Sequence, residues 1–159
     1  MTALIPTWVF ALLALLLWLG WVQSRARQVR PIVTGTVALG LATYSLWGVL
    51  AAFGLGLRPA LAWVAGAAAA LLLARLLLSS AGMAYLPSTR RVHVPGSWLP
   101  LALMLGIFGI KFGLGVAGGT GHPVLPGSAV ADACALMLGL MSGLFAARAR
   151  AVVTVARGA

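Results

Sequence analysis

Acidic side chains are almost absent from this sequence of 159 residues, in which Asp132 stands alone against eleven Lys and Arg. Charged residues make up 8% of the chain and hydrophobic residues 62%, whereas about a quarter of the residues in a soluble domain are charged. This composition excludes an ordinary soluble domain. The formal net charge of +10 would suit a nucleic-acid binder, but the basic residues are scattered between long apolar blocks instead of clustered on one face. We therefore expect no nucleic-acid partner.

Five apolar segments are each long enough to cross a bilayer as a helix. A spanning helix needs about 20 mostly apolar residues, because the hydrocarbon core is about 30 Å thick and each helical residue rises about 1.5 Å. The longest polar stretch, residues 87–97, is too short to form a second domain. The sequence therefore predicts an all-α fold with the lipid bilayer as its surroundings. A single membrane domain covers residues 1–159, with spans at about 4–22, 31–57, 59–80, 98–117 and 127–147.

The arginines between the segments predict the orientation, because short cytoplasmic loops carry an excess of Lys and Arg. The loops after the first, third and fifth segments carry eight arginines, and those after the second and fourth carry only Arg58. We therefore predict five transmembrane helices with the amino terminus outside and the carboxyl terminus in the cytoplasm. Topogenesis alone explains the cytoplasmic arginines, although a basic rim also attracts anionic lipid headgroups. This rim consists of Arg25, Arg27, Arg30, Arg90 and Arg91.

Small residues recur every three or four positions in the fourth and fifth segments, which puts them on one face of each helix. The second segment carries a similar face, from Ala38 to Gly56. Helices in a bilayer approach closely across such faces. We predict packing within the chain, and the alternative is a face for a homo-oligomer or a membrane protein partner. The glycines predicted to pack are Gly106, Gly109, Gly113, Gly139 and Gly143.

Two charged residues, Lys111 and Asp132, fall inside the predicted spans. A charge at the bilayer centre costs about 3 kcal/mol or more, so both residues are candidates for a functional site. Each lies about 8 to 9 Å below the predicted outer end of its helix, which permits an ion pair across the outer hairpin. Helical phase opposes this pair, because Lys111 points away from the glycine face of its own segment. Such a pair could either fix the register of the two helices or form part of an ion or proton path, and the first role is favoured.

Groups that could carry catalysis or bind a cofactor are scarce. The single cysteine, Cys134, cannot form a disulfide within the chain. The two histidines, His93 and His122, fall in loops on opposite predicted sides of the membrane, so they cannot share a metal ion or a haem. We therefore expect no enzymatic activity, no metal and no cofactor.

The cluster Arg25-x-Arg27 and Arg30-Pro31 follows a first helix that starts outside, and four short-looped spans come after it. This pattern resembles the small multi-pass inner-membrane proteins of bacteria that are collected in uncharacterised families of unknown function. The resemblance covers the whole chain and implies a location in the bacterial inner membrane. It implies no particular site residue.

Two functions are compatible with these features. The first is a non-enzymatic structural or accessory subunit of the membrane, which rests on the lack of a catalytic constellation. The alternative is a small oligomeric transporter or proton-coupled permease that uses Asp132, with Lys111 as its gate or partner. An intramembrane enzyme comes third, since it would need a cofactor that no motif indicates.

Overall fold

The computed structural model describes residues 7–77, 82–122 and 124–158, and most of these residues are helical. Four of the described helices, the second to the fifth, are long and apolar enough to cross a membrane. The apolar part of the first, Val9–Ser24, is shorter. These findings confirm a mostly helical chain with helices suited to a bilayer. The helices are α1 (Thr7–Ser24), α2 (Pro31–Phe53), α3 (Leu57–Leu77), α4 (Leu99–Gly119) and α5 (Ala129–Arg157).

Proline, serine and glycine set several of the helix ends. Pro31 opens α2 after an extended Arg30, because a first-turn proline loses no intrahelical hydrogen bond. The Ser128 hydroxyl accepts a hydrogen bond from the Ala131 amide and so caps α5. This last helix continues to Arg157, beyond residue 147 where the predicted fifth span ends, since residues 148–157 contain neither glycine nor proline.

The prediction of an all-α fold needs a correction, because three short strands form a small antiparallel sheet. They are β1 (Arg27–Val29), β2 (Ala84–Leu86) and β3 (Arg91–Val94), arranged in the order β1-β3-β2. In β3 basic side chains alternate with buried valines, which is the period of a strand with one covered face. Residues 87–97, which were expected to form a polar loop, therefore contain the turn and the second strand of a hairpin.

The chain divides into two compact units. The first unit, Met1–Arg25 with Gly96–Val124, contains α1 and α4. Here Gly20 of α1 lies against the side chain of Leu101. The rings of Trp21 and Trp98 meet edge to face, with 6.1 Å between their centroids. The two helices are thus joined at the end where α1 finishes and α4 begins.

The second unit, Ala26–Pro95 with Leu125–Ala159, contains the other three helices and the sheet. Helix α5 lies in the middle and contacts both α2 and α3. The sheet packs on the last turns of α5, where Val92 and Val94 meet Val152. The candidate site described next belongs to this unit.

Candidate functional site

The one acidic side chain of the sequence forms an ion pair with Arg58. Both the Nε and the Nη2 of Arg58 donate hydrogen bonds to Oδ2 of Asp132, at 3.0 and 2.6 Å. Arg58 is the second residue of α3, and Asp132 lies in the first turn of α5. The partial positive charge at the start of a helix stabilises the Asp132 carboxylate and destabilises the Arg58 guanidinium. The negative charge of the carboxylate offsets this unfavourable effect on Arg58. The pair therefore joins the beginnings of two helices.

Asp132 lies nearer to the start of its helix than the sequence predicted. It is three residues beyond Ala129, about 4.5 Å along the axis, and 28% of its side chain is exposed. The predicted partner, Lys111, lies on α4 in the other unit, and the pairing of Lys111 with Asp132 stays a prediction. The partner that sequence reasoning missed is Arg58. It could have been found, because it is the one arginine in the loops predicted to share the outer side with Asp132.

Glycines let the backbones of α3 and α5 approach closely beyond the ion pair. A Cβ atom at Gly139 would collide with the main chain of Trp63. A Cβ atom at Gly143 would lie 2.6 Å from the carbonyl oxygen of Ala67. A Cβ atom at Gly66 of α3 would likewise collide with the main chain of α5. Close contact between backbones across small residues is the usual means of packing helices in a bilayer.

The contacts between α3 and α5 show that the two helices run parallel. The partners are 74 residues apart in sequence at the ion pair. They are 76 apart both from Trp63 to Gly139 and from Ala67 to Gly143. A nearly constant offset arises only when two helices run in the same direction. Both helices therefore start at the same side, as the predicted topology requires of the third and fifth spans.

The predicted packing glycines differ in their surroundings. Gly139 and Gly143 lie at the contact with α3, as described above. Within the unit of α1 and α4, no described atom lies within 4 Å of a Cβ atom built at Gly109 or Gly113. The packing role of Gly106 stays a prediction. Sequence reasoning missed Gly66, although its spacing of four residues from Ala70 indicates a small-residue face on the third segment too.

A hydrogen bond attaches α2 to the same helix pair. The indole Nε1 of Trp63 donates to the hydroxyl of Ser45 at 3.2 Å. Ser45 lies on the predicted small-residue face of α2 and is buried, as are Ala38 of the same face and the nearby Val49. The hydroxyl thus satisfies a polar group of a partly buried tryptophan, and it places α2 beside α3 at this level.

The polar features of this unit are concentrated at the two ends of α5. Twenty residues separate Asp132 from Val152, which corresponds to about 30 Å of helix and hence to the thickness of the hydrocarbon core. Residues 133–147 carry no charge. The ion pair marks one end of the 20-residue interval from Asp132 to Val152, and the sheet marks the other end.

Four of the five predicted rim arginines lie in or beside the strands. Arg90 occupies the turn between β2 and β3 with a φ of 50°, a conformation that an L-residue adopts at some cost. Arg25 belongs to the other unit, where its guanidinium carbon lies 5.6 Å from the centre of the Trp21 ring. The four that accompany the sheet are Arg27, Arg30, Arg90 and Arg91.

Further cationic groups lie on the side of the sheet that faces α5. Arg27 shares this side with Val29, because alternate residues of a strand point the same way. Desolvation lowers the pKa of the Arg27 guanidinium, which nevertheless remains protonated at neutral pH. Arg148 of α5 donates a hydrogen bond from Nη2 to the carbonyl oxygen of Pro95 at 3.3 Å. The sheet end of α5 is therefore strongly basic.

Comparison with known proteins gives one result. A model described as "Family of unknown function (DUF6622)" matches residues 1–159, the whole chain. No curated protein and no solved structure matches. The resemblance to bacterial families of unknown function is confirmed as far as membership in an uncharacterised family.

Proposed function

The chain belongs to DUF6622, a family of unknown function, and we propose that it is a non-enzymatic structural or accessory protein of the bacterial cytoplasmic membrane. In this proposal five helices cross the bilayer. The amino terminus is outside and the carboxyl terminus is in the cytoplasm. Helix α1 supplies the fifth span in addition to the four described helices that are long enough to cross a membrane.

The use of the one acidic side chain carries this proposal. Asp132 accepts two hydrogen bonds from Arg58 and links the starts of α3 and α5. Beyond this link the two helices meet through glycine and alanine, which supply neither a nucleophile nor a proton-transfer group. The charge that a permease or an enzyme would need is thus engaged in holding helices together, which suits a structural protein.

The spacing of polar features along α5 supports the proposed orientation. The ion pair and the sheet are about one hydrocarbon thickness apart. The arginines next to the sheet outnumber the one at the ion pair, and the positive-inside rule puts the richer side in the cytoplasm. The parallel arrangement of α3 and α5 agrees with two spans that both run inward.

Single cysteines test the orientation in intact cells. In a Cys134→Ser background, Thr120→Cys follows α4 on the proposed outer side and Ser88→Cys lies in the hairpin turn on the inner side. Both positions are exposed. We expect a membrane-impermeant maleimide to label Thr120→Cys in intact cells and Ser88→Cys only after lysis. The reverse pattern would invert the orientation, and labelling of both in intact cells would refute the proposed span arrangement.

A charge swap separates a structural link from a proton site. We expect Arg58→Asp and Asp132→Arg each to destabilise the protein by about 1 kcal/mol, which is typical of a partly exposed pair. Combined in one chain they should recover most of that loss. Stability is measured by SDS titration in mixed micelles. The permease hypothesis, with Lys111 as partner, predicts instead that liposome flux is lost both in the swapped protein and in Asp132→Asn, and that outcome would contradict a purely structural role.

Copurification tests the accessory role. The glycine face of α4 is uncovered within its own unit at Gly109, so it is the surface that we expect a second copy or a membrane protein partner to contact. Extraction in a mild detergent should return a complex, and Gly109→Leu should dissociate it. The matched control is Gly40→Leu, at an equally open glycine of α2. A strict monomer without any partner would count against this role.

A further inference from the structure

A groove of about 460 Å³ lies between α2 and α5, along the part of α5 that leads to the sheet. Its size falls within the range of small-molecule sites, about 300 to 1,000 Å³. Most of the wall is apolar and small, with Gly35, Ala38 and Ala42 on α2 and Ala146 on α5. Side chains this short leave a trough between the helices.

Two arginines line the same groove at its sheet end. Arg150 and Arg157 are seven residues apart on α5, so they lie on one helix face with about 10 Å between their positions along the axis. Both residues are exposed. Thr154, which lies between them, donates its hydroxyl to the carbonyl oxygen of Arg150 at 2.9 Å. The groove is thus apolar at one end and cationic at the other.

We propose that this groove binds an anionic phospholipid, with the phosphate at Arg150 and Arg157 and one acyl chain along the alanine-lined trough. The proposal rests on the membrane location proposed above. In that orientation the arginines face the cytoplasmic leaflet, whose surface carries the negative lipid charge. Guanidinium groups match phosphate oxygens in charge and in hydrogen-bond geometry, and the apolar trough suits a hydrocarbon chain.

A second copy of the chain fits this groove less well than a lipid. Its one acidic side chain, Asp132, lies 18 residues before Arg150 on the same helix, about 27 Å away, and is engaged with Arg58. A second copy would therefore offer the two arginines no free carboxylate side chain. Free phosphate would satisfy the guanidinium groups and leave the trough unfilled, so an amphiphile is the ligand that matches both parts.

Native mass spectrometry of the full chain in a mild detergent tests the proposal with three probes: phosphatidylglycerol, phosphatidylcholine with the same acyl chains, and inorganic phosphate. We expect phosphatidylglycerol to bind at least about ten times more tightly than either of the others. Each arginine contributes roughly a factor of 5, the equivalent of about 1 kcal/mol. The double variant Arg150→Gln/Arg157→Gln should therefore bind phosphatidylglycerol about 25-fold more weakly.

Three further variants make the result specific. Arg150→Lys/Arg157→Lys keeps the charge and should retain most of the binding. The matched control Arg90→Gln removes a charge that does not line the groove, so it should change binding less than about twofold. Ala42→Leu fills the trough and should weaken phosphatidylglycerol binding while leaving phosphate unaffected.

Two results would overturn the proposal. One is equal binding of both lipids with no effect of the arginine substitutions. The other is competition by inorganic phosphate at the concentration at which phosphatidylglycerol binds, which would indicate an anion site only. Binding in detergent does not depend on orientation, so its failure leaves the cysteine-labelling result intact, and failure of the labelling leaves the measured binding intact.

Discussion

We expect Gly139→Leu to destabilise the protein by at least about 3 kcal/mol, at the upper end of what overpacking usually costs. Any Cβ atom at this position collides with the main chain of Trp63. A backbone cannot swing away as a flexible side chain can, so α3 and α5 must separate. Separation would also disturb the hydrogen bond from Trp63 to Ser45 and therefore the position of α2.

The measurement is the free energy of unfolding by SDS titration in mixed micelles. Gly40→Leu is the matched control, because the same substitution at the same residue type meets no described atom within 4 Å. It should leave stability unchanged or slightly raised, since leucine has a higher helix propensity than glycine. Equal losses in the two variants, or none in Gly139→Leu, would mean that α3 and α5 are not packed backbone to backbone.

The helices could be predicted from the sequence because their signal is local. An apolar run of about 20 residues has few alternatives in a bilayer, since every backbone polar group must be satisfied within the segment. Proline at residue 31 also marks the start of α2 directly. Helix α5 extends past the predicted fifth span, which ends at about residue 147, to Arg157, because charged residues continue a helix beyond the hydrocarbon core without difficulty.

The partner of Asp132 has no comparable local signal in the sequence. Depth along the helix predicted that Asp132 could meet a charge at a similar level, and Lys111 was the nearest candidate. Which helices are neighbours is a property of the tertiary fold, however, and neighbours along the chain are not always the closest in space. Arg58 reaches Asp132 because α3 and α5 pack together across Gly66 and Gly139, and the face containing Gly66 was overlooked.

The small sheet escaped prediction because its strands are only three or four residues long. Periodicity over so few residues is weak evidence for a strand. Its β1 and β3 are also separated by two helices in the sequence, so pairing between them is non-local. What stabilises the sheet is the apolar end of α5, where Val152 covers Val92 and Val94.

Val92→Asn should release this sheet from α5. Val92 is fully buried, at the centre of the middle strand and opposite both Val29 and Tyr85. The substitution removes the stabilisation from a buried valine, about 1.5 kcal/mol or more, and places an amide in an apolar environment at a further cost of about 1 to 3 kcal/mol. A total near 3 kcal/mol corresponds to local opening that is on the order of 100-fold more frequent.

Hydrogen–deuterium exchange of the peptide covering residues 82–97 measures this opening directly. The control is His93→Asn, because the neighbouring side chain lies on the opposite face of the same strand, beside Gln28 and Ala84. It should leave exchange within about threefold of the unsubstituted protein, as expected of a substitution away from the core. Equal acceleration in both variants would show that the strand itself is weakened. No acceleration in either would show that α5 does not cover the sheet, and the spacing of one hydrocarbon thickness between the sheet and the ion pair would then lose its structural basis.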